Sequence, residues 1–169
     1  RAFQRSLADL PIMRNVVADL AVESEALMWM SMRLAAALDA GERGDRGEGL
    51  LSRIATPVAK YWACKRAPQF VVEALECHGG DGFMDPSPMP RLYREAPVNS
   101  VWEGSGNIIC LEALKIMARE PDAVPAFMET LNQARGADRR YDAYLAALEK
   151  ELTNLDEIES RARRIVERM

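Results

Sequence analysis

The apolar residues of the first forty positions recur every three or four residues, which is the spacing of an amphipathic helix. Polar side chains fall on the other faces of this pattern, and Pro11 interrupts it only near its start. We therefore predict one long helix from Leu7 to Leu38. The next stretch, GERGDRGEG (Gly41 to Gly49), is rich in glycine and charge, and we predict that it forms a loop.

A second helical pattern runs from about Leu50 to Cys77 and contains two prolines. Pro57 would fit a helix only near its first turn, and Pro68 is expected to kink the helix or to divide it. The HGGDG segment that follows should end this helix, because glycine readily adopts left-handed backbone angles. A long proline-rich connection, MDPSPMPRLYREAPVNS, comes next and is predicted to be a loop with a function.

A third long helix is predicted after Trp102, ending near Arg119 before a Glu-Pro pair. The remaining residues indicate three shorter helices, separated near residues 135–137 and 152–154. No segment shows the sustained alternation of a strand. The predicted fold class is therefore all-α, an up-and-down helical bundle with extra C-terminal helices. We expect the bundle to occupy residues 1–119 and a helical extension packed on it to occupy residues 120–169.

The composition excludes several classes of protein. A net charge of −4 with 49% hydrophobic residues is ordinary for a globular domain and argues against a strong electrostatic grip on nucleic acid or on a membrane surface. No apolar run approaches the roughly 20 residues of a membrane helix. Three widely spaced cysteines match neither a disulfide framework nor a zinc site and favour the cytoplasm. His78 is the only histidine, so no histidine metal cluster is expected, and we interpret it as a helix-end residue.

Two glycine-containing motifs could carry chemistry. HGGDGF would allow a flat or anionic ligand to approach the backbone closely, and SVWEGSGN places Glu103, Ser105 and Asn107 near a helix start. Glu103 is open to two interpretations: an acid in the first helical turn, which complements the helix dipole, or a catalytic base. The connection between the motifs is long enough to let both contact one ligand. As patterns alone, both are also consistent with ordinary helix caps.

The segments ALECHGGDGF and RLYREAPVNSVWEGSGNIICLEAL together resemble the C-terminal helical domain of acyl-CoA dehydrogenases. The resemblance covers about residues 1–117, and the WEGSGN and TPVAKYWACKRAP wording is most similar to the AidB-like branch. It implies that Glu103 is the catalytic base, which removes the α-proton of an acyl-CoA thioester while a hydride passes to FAD. A carboxylate enclosed beside Trp102 in an apolar site would be a stronger base.

The resemblance also implies a set of FAD-contacting residues, which consists of an aromatic side chain, a glycine pair and four members of the WEGSGN motif. They are Phe3, Gly79, Gly80, Trp102, Gly104, Ser105 and Asn107. The glycine pair would reach FAD bound to a neighbouring subunit, which implies a homotetramer arranged as a dimer of dimers. The family's N-terminal and middle domains are not in this sequence, so we expect a domain of a longer protein that is inactive alone.

Two other functions are considered. The first is an AidB-like flavoprotein of the DNA alkylation response, which would bind duplex DNA through basic residues near the C-terminus. The candidates are Arg135, Arg139, Arg140, Arg161, Arg163 and Arg164. Because acids are interleaved with them, a solvated helix face is the preferred interpretation. The second is a helical interaction domain with Met28, Met30 and Met32 as its partner surface, although such a stripe is more often core or subunit interface.

Overall fold

The computed structural model describes residues 5–169, which form eight α-helices and two 3-10 turns and contain no β-strand. The helices are α1 (Pro11–Glu42), α2 (Arg46–Glu76), α3 (Gly80–Phe83), α4 (Met89–Glu95), α5 (Gly106–Arg119), α6 (Ala123–Asn132), α7 (Arg139–Thr153) and α8 (Ala162–Arg168). The 3-10 turns are Leu7–Asp9 and Ala96–Ser100. The all-α prediction is confirmed. Within residues 5–169, no helix combines the length and the apolar character needed to cross a membrane. Phe3 lies outside the described residues.

Helix α2 is the centre of the fold, since it packs against α1, α4, α5, α6 and α8. Both Pro57 and Pro68 lie inside this single helix. The expectation that Pro57 fits a helix only near its first turn is therefore wrong, and of the two outcomes expected for Pro68, a kink or a division, the division does not occur. An interior proline costs about 3 kcal/mol of helix stability, and packing along the length of α2 outweighs that cost.

The connection between α1 and α2 is much shorter than the predicted loop, because only residues 43–45 lie outside the two helices. The carboxylate of Asp45 caps α2 by accepting a hydrogen bond from the Glu48 amide at 3.1 Å. Gly41 and Gly49 lie against each other where α1 ends and α2 begins. A Cβ on Gly41 would lie 2.7 Å from the Gly49 Cα. These glycines therefore allow close helix packing and do not form a loop.

The residues after 119 share their core with the bundle. One buried cluster joins Ala37 of α1 and Ile54 of α2 to Phe127 of α6, Leu148 of α7 and Ile165 of α8. A second cluster places α8 against α2 and α5. The helix boundaries around residues 133–138 and 154–161 agree with the predicted breaks. The proline-rich connection, in contrast, is largely structured, because it contains α4 and the second 3-10 turn, and both pack on α2.

A cluster of one carboxylate and three arginines joins α7 to α8. Glu151 is only 9% exposed, and its oxygens accept hydrogen bonds from Arg161 and Arg164 at 2.7 Å and from Arg168 at 3.3 Å. These contacts, that of Arg164 above all, hold the pKa of Glu151 below its ordinary value. Arg161 also donates to the carbonyl oxygens of Asn154 and Asp156, so it fixes the segment between the two helices.

Candidate functional site

Glu103 lies in a turn with left-handed backbone angles immediately before α5. Its φ is 56°, and that of Gly104 is 107°. Ser105 is the N-cap residue of α5, and the helix begins at Gly106 with no acid in its first turn. The interpretation of Glu103 as a first-turn acid is therefore wrong. A left-handed conformation is unfavourable for a residue with a Cβ and is concentrated at functional sites.

Lys60 holds this turn from the middle of α2. Its Nζ donates hydrogen bonds to the carbonyl oxygens of Trp102 and Gly104, both at 2.6 Å, so the two bonds enclose Glu103 from either side. Sequence reasoning missed Lys60. A lysine on a helix is common, and no local pattern indicates that it contacts residues more than forty positions later.

Glu103 and Lys60 line the same groove, which has a volume of about 580 Å³ and lies between α1, α2 and α5. Leu38, Ile109 and Ile116 give this groove an apolar wall. Glu103 itself is exposed, and the Trp102 side chain is 59% exposed. The expectation that Trp102 encloses the carboxylate in an apolar site is therefore not met by residues 5–169. Exclusion of water would have to come from a ligand or from other parts of the protein.

The residues after Glu103 do not all face the same groove. Within residues 5–169 the Ser105 hydroxyl makes no cap hydrogen bond, so it is available for other contacts. Gly106 packs closely, since a Cβ there would lie 2.8 Å from Cε of Lys65. Asn107 lines a separate pocket of about 300 Å³, between α5 and the residues that lead into α8. The buried Cys110 lines that pocket too, and burial raises the pKa of its thiol.

The glycine motif after α2 contains two kinds of glycine. Gly79, with φ of 61°, and Gly80 lie at the surface, and a Cβ on either would meet no atom of residues 5–169 within 4 Å. Gly82 is buried, and a Cβ there would lie 2.2 Å from the carbonyl oxygen of Leu75. The first two therefore leave the backbone open to another molecule, whereas Gly82 is required for packing. Sequence reasoning did not identify the role of Gly82.

The two motifs do not meet in one chain. The Glu103 turn is fixed at Lys60, whereas the glycine motif packs at Leu75, and both of these residues lie on α2. A helical rise of 1.5 Å per residue places these two points about 22 Å apart. The expectation that the long connection brings both motifs around the same part of one ligand is therefore wrong for a single chain.

The basic residues near the C-terminus are largely paired. The partners are Glu149 for Arg135, Asp138 for Arg140, Glu151 for Arg161 and Arg164, and the Tyr61 hydroxyl for Arg163. Glu149 and Asp138 balance the charges of Arg135 and Arg140, and the exposed acids Glu157 and Glu159 stand among the remaining arginines, which favours the interpretation as a solvated helix face.

The remaining candidates carry no site of their own. His78 is exposed just beyond the end of α2. Met28 and Met32 are exposed, whereas Met30 is half-buried, so the three methionines do not form one surface. In the described part of the chain, no group of three His, Cys, Asp or Glu residues is arranged to hold a metal ion.

Comparisons with known proteins agree with this architecture. A family model described as "Acyl-CoA dehydrogenase, C-terminal domain" matches residues 1–118. The chain is 41% identical over 150 residues to the "Putative acyl-CoA dehydrogenase AidB" of Escherichia coli, covering 89% of this chain and 27% of that protein. It is 30% identical over 146 residues to "Acyl-CoA dehydrogenase family member 11" of Caenorhabditis elegans, covering 85% of this chain and 24% of that protein.

Solved structures show the same arrangement of helices. The crystal structure of Caenorhabditis elegans ACDH-11 in complex with C11-CoA matches 98% of this chain and 32% of that chain, with a TM-score of 0.87 and 26% identity. The apo form of Bd2924 matches 98% of this chain and 33% of that chain, with a TM-score of 0.85 and 28% identity. The chain thus spans about a quarter of the length of the curated relatives that it matches. It belongs to the acyl-CoA dehydrogenase family and corresponds to the C-terminal helical domain of that family.

Proposed function

We propose that this chain is the C-terminal domain of an FAD-dependent acyl-CoA dehydrogenase and that Glu103 is its catalytic base. The observation that carries the proposal is the Glu103 turn. An exposed carboxylate is held there in an unfavourable left-handed conformation, beside a groove with an apolar wall, by two hydrogen bonds from α2. A carboxylate that served only to cap α5 would need neither the strained backbone nor the groove.

The residues of the site are compatible with FAD. Gly79 and Gly80 expose backbone that a side chain would cover, the Ser105 hydroxyl makes no cap hydrogen bond within residues 5–169, and Asn107 lines an open pocket. We assign FAD contacts to these four residues, to Trp102 and Gly104 of the Glu103 turn, and to Phe3. Because the glycine pair lies far from Glu103 along α2, it would contact FAD of a second subunit. A homotetramer would bring these surfaces together.

In the proposed reaction, Glu103 accepts the α-proton of an acyl-CoA thioester as the Cα–Cβ double bond forms. The chemistry that bound FAD supplies is acceptance of the hydride that leaves the β-carbon. The exposed Trp102 and the apolar groove wall would be covered by the substrate and by other parts of the full-length protein. That closure would exclude water from the carboxylate and strengthen it as a base. The isolated chain should consequently show no dehydrogenase activity.

The test is the nearly isosteric substitution Glu103→Gln in the full-length protein. Flavin reduction by an acyl-CoA under anaerobic conditions should slow by about 10²- to 10⁴-fold, the usual contribution of a general base, while FAD remains bound. Glu112→Gln is the matched control, because Glu112 lines the same groove on α5 and is also exposed. The assignment fails if Glu103→Gln reduces flavin as fast as the wild type does, or if Glu112→Gln is equally impaired.

A further inference from the structure

We propose that Lys60 is a positioning residue that sets the conformation of the Glu103 turn through its two backbone hydrogen bonds. This inference rests on the proposed role of Glu103 and extends it to a residue on a different helix. Both acceptors are carbonyl oxygens of the residues that flank Glu103, and both lie 2.6 Å from Nζ. Lys60 therefore fixes the backbone on both sides of the carboxylate without using the carboxylate itself.

The absence of an ion pair distinguishes this arrangement from ordinary charge pairing. Among residues 5–169, no basic nitrogen lies within 4.0 Å of a Glu103 oxygen. The Lys60 ammonium lies close to the turn and is nevertheless directed to its carbonyl oxygens. The Glu103 carboxylate thus stays available for a proton from a ligand in the groove.

The turn needs an external support because its own conformation is unfavourable. Glu103 and Gly104 both have positive φ, and only the second of them is a glycine. Inside the turn, the amides of Val101 and Trp102 donate to one carbonyl oxygen, that of Val98, at 2.9 and 3.1 Å. Lys60 adds a support from outside the turn, and its stem is half-buried in the middle of the 31-residue helix α2.

Replacement of Lys60 should loosen the turn without unfolding the domain. Trp102 is exposed and Gly104 is only partly buried, so water can satisfy their carbonyl oxygens when the ammonium is removed. Lys60→Met keeps an unbranched side chain and removes all donors, whereas Lys60→Arg keeps the charge and supplies donors in a fork. Lys150→Met is the control for loss of a lysine, since Lys150 lies on the exposed face of α7, away from the turn.

Two measurements on the full-length protein test the proposal. The first is hydrogen–deuterium exchange of peptides covering residues 98–108, with peptides from α7 as internal reference. Lys60→Met should speed exchange at the turn about tenfold, because the turn opens more often, and α7 should not change. Lys60→Arg should restore slow exchange at least in part, and Lys150→Met should match the wild type.

The second measurement is the limiting rate of anaerobic flavin reduction by an acyl-CoA that the wild type oxidises. Lys60→Met should slow it by about 10²-fold, the effect of a misplaced catalytic group, with FAD content and acyl-CoA affinity nearly unchanged. Unchanged exchange at residues 98–108 overturns the inference and leaves the Glu103 assignment intact. Faster exchange with an unchanged reduction rate overturns it too. A normal rate of flavin reduction in Glu103→Gln is a separate result, which overturns the proposed function. In that case hydrogen–deuterium exchange at residues 98–108 still decides whether Lys60 holds the turn.

Discussion

The substitution Gly82→Ala should destabilise the domain through one backbone clash at the end of α2. The added Cβ would lie 2.2 Å from the carbonyl oxygen of Leu75 and 3.1 Å from Cβ of His78. The oxygen belongs to the backbone of a packed helix, so either α3 or the last turn of α2 must move by about 1 Å to restore van der Waals contact. Overpacking of this kind costs about 1–3 kcal/mol. The higher helix propensity of alanine returns only about 0.5–1 kcal/mol.

Gly80→Ala is the matched control two positions earlier in the same short helix. A Cβ there meets no atom of residues 5–169 within 4 Å, and Gly80 does not have a positive φ. Thermal unfolding followed by circular dichroism at 222 nm provides the assay. A chain of this size changes its Tm by about 2–4 °C per kcal/mol. We therefore expect the Tm of Gly82→Ala to lie roughly 2–12 °C below that of Gly80→Ala, and Gly80→Ala to leave the Tm of the wild type unchanged or slightly raised.

Two outcomes would refute this reasoning: a Gly82→Ala protein as stable as the wild type, or equal destabilisation by Gly80→Ala. Comparison of Gly82→Ala with Gly80→Ala also separates an effect on packing from an effect on ligand binding. In the full-length protein, Gly80→Ala should reduce FAD occupancy or weaken the proposed tetramer at unchanged stability, because the open backbone is where we propose that FAD of another subunit approaches.

Three further predictions concern stability. The contacts with the arginines, above all with Arg164, lower the pKa of Glu151. The stabilisation by the Glu151 carboxylate is therefore complete above its unfolded-state pKa of about 4.3, and it is lost as the pH falls through the lower pKa of the folded state. The Tm difference between wild type and Glu151→Gln should thus be largest near neutral pH and shrink below about pH 4; a difference independent of pH would contradict it. Gly41→Ala should lower the free energy of unfolding, measured by urea denaturation, by about 1–3 kcal/mol, because its Cβ would lie 2.7 Å from the backbone of Gly49. Gly49→Ala should lower it less, because the Cβ there makes an ordinary 3.6 Å contact. Ile165→Ala should lower the free energy of unfolding by about 2–5 kcal/mol, because Ile165 is fully buried in the core cluster shared by α1, α2, α5, α6 and α7. A decrease of less than about 1 kcal/mol would show that the C-terminal helices are not part of that core.

The helices themselves could be predicted because each depends on a local periodic signal. The apolar spacing before residue 39 and the Glu-Pro pair after Arg119 are both visible in a short window of sequence. Helix α5 ends at Arg119 as predicted, whereas α1 begins at Pro11 and ends at Glu42, each four residues after the predicted bound. The errors arose where long-range packing overrides local preference. Two prolines remain inside α2 because that helix is packed along its length. Gly41 and Gly49 serve close helix packing, which no local pattern distinguishes from a flexible loop.

In the candidate site, too, local signals could be predicted from the sequence and long-range contacts could not. The WEGSGN motif pointed to Glu103, but its neighbouring residues carry no signal for its left-handed φ, and the hydrogen bonds from Lys60 span more than forty positions. The separation of the two motifs along α2 became visible only when their anchoring points, Lys60 and Leu75, were known. The role of Gly82 could not be inferred because the sequence alone does not distinguish a buried glycine from the exposed glycines near it.

Glu103 is proposed to serve acyl-CoA dehydrogenation in the full-length protein. The most direct measurement is an anaerobic titration of that protein with a panel of acyl-CoAs of different chain lengths, following the flavin absorbance. We expect one class of acyl-CoA to bleach the flavin rapidly and thereby to identify the substrate. A flavin-containing protein that no acyl-CoA bleaches would contradict this proposal, and binding of duplex DNA that weakens steeply with salt would then be the next property to measure.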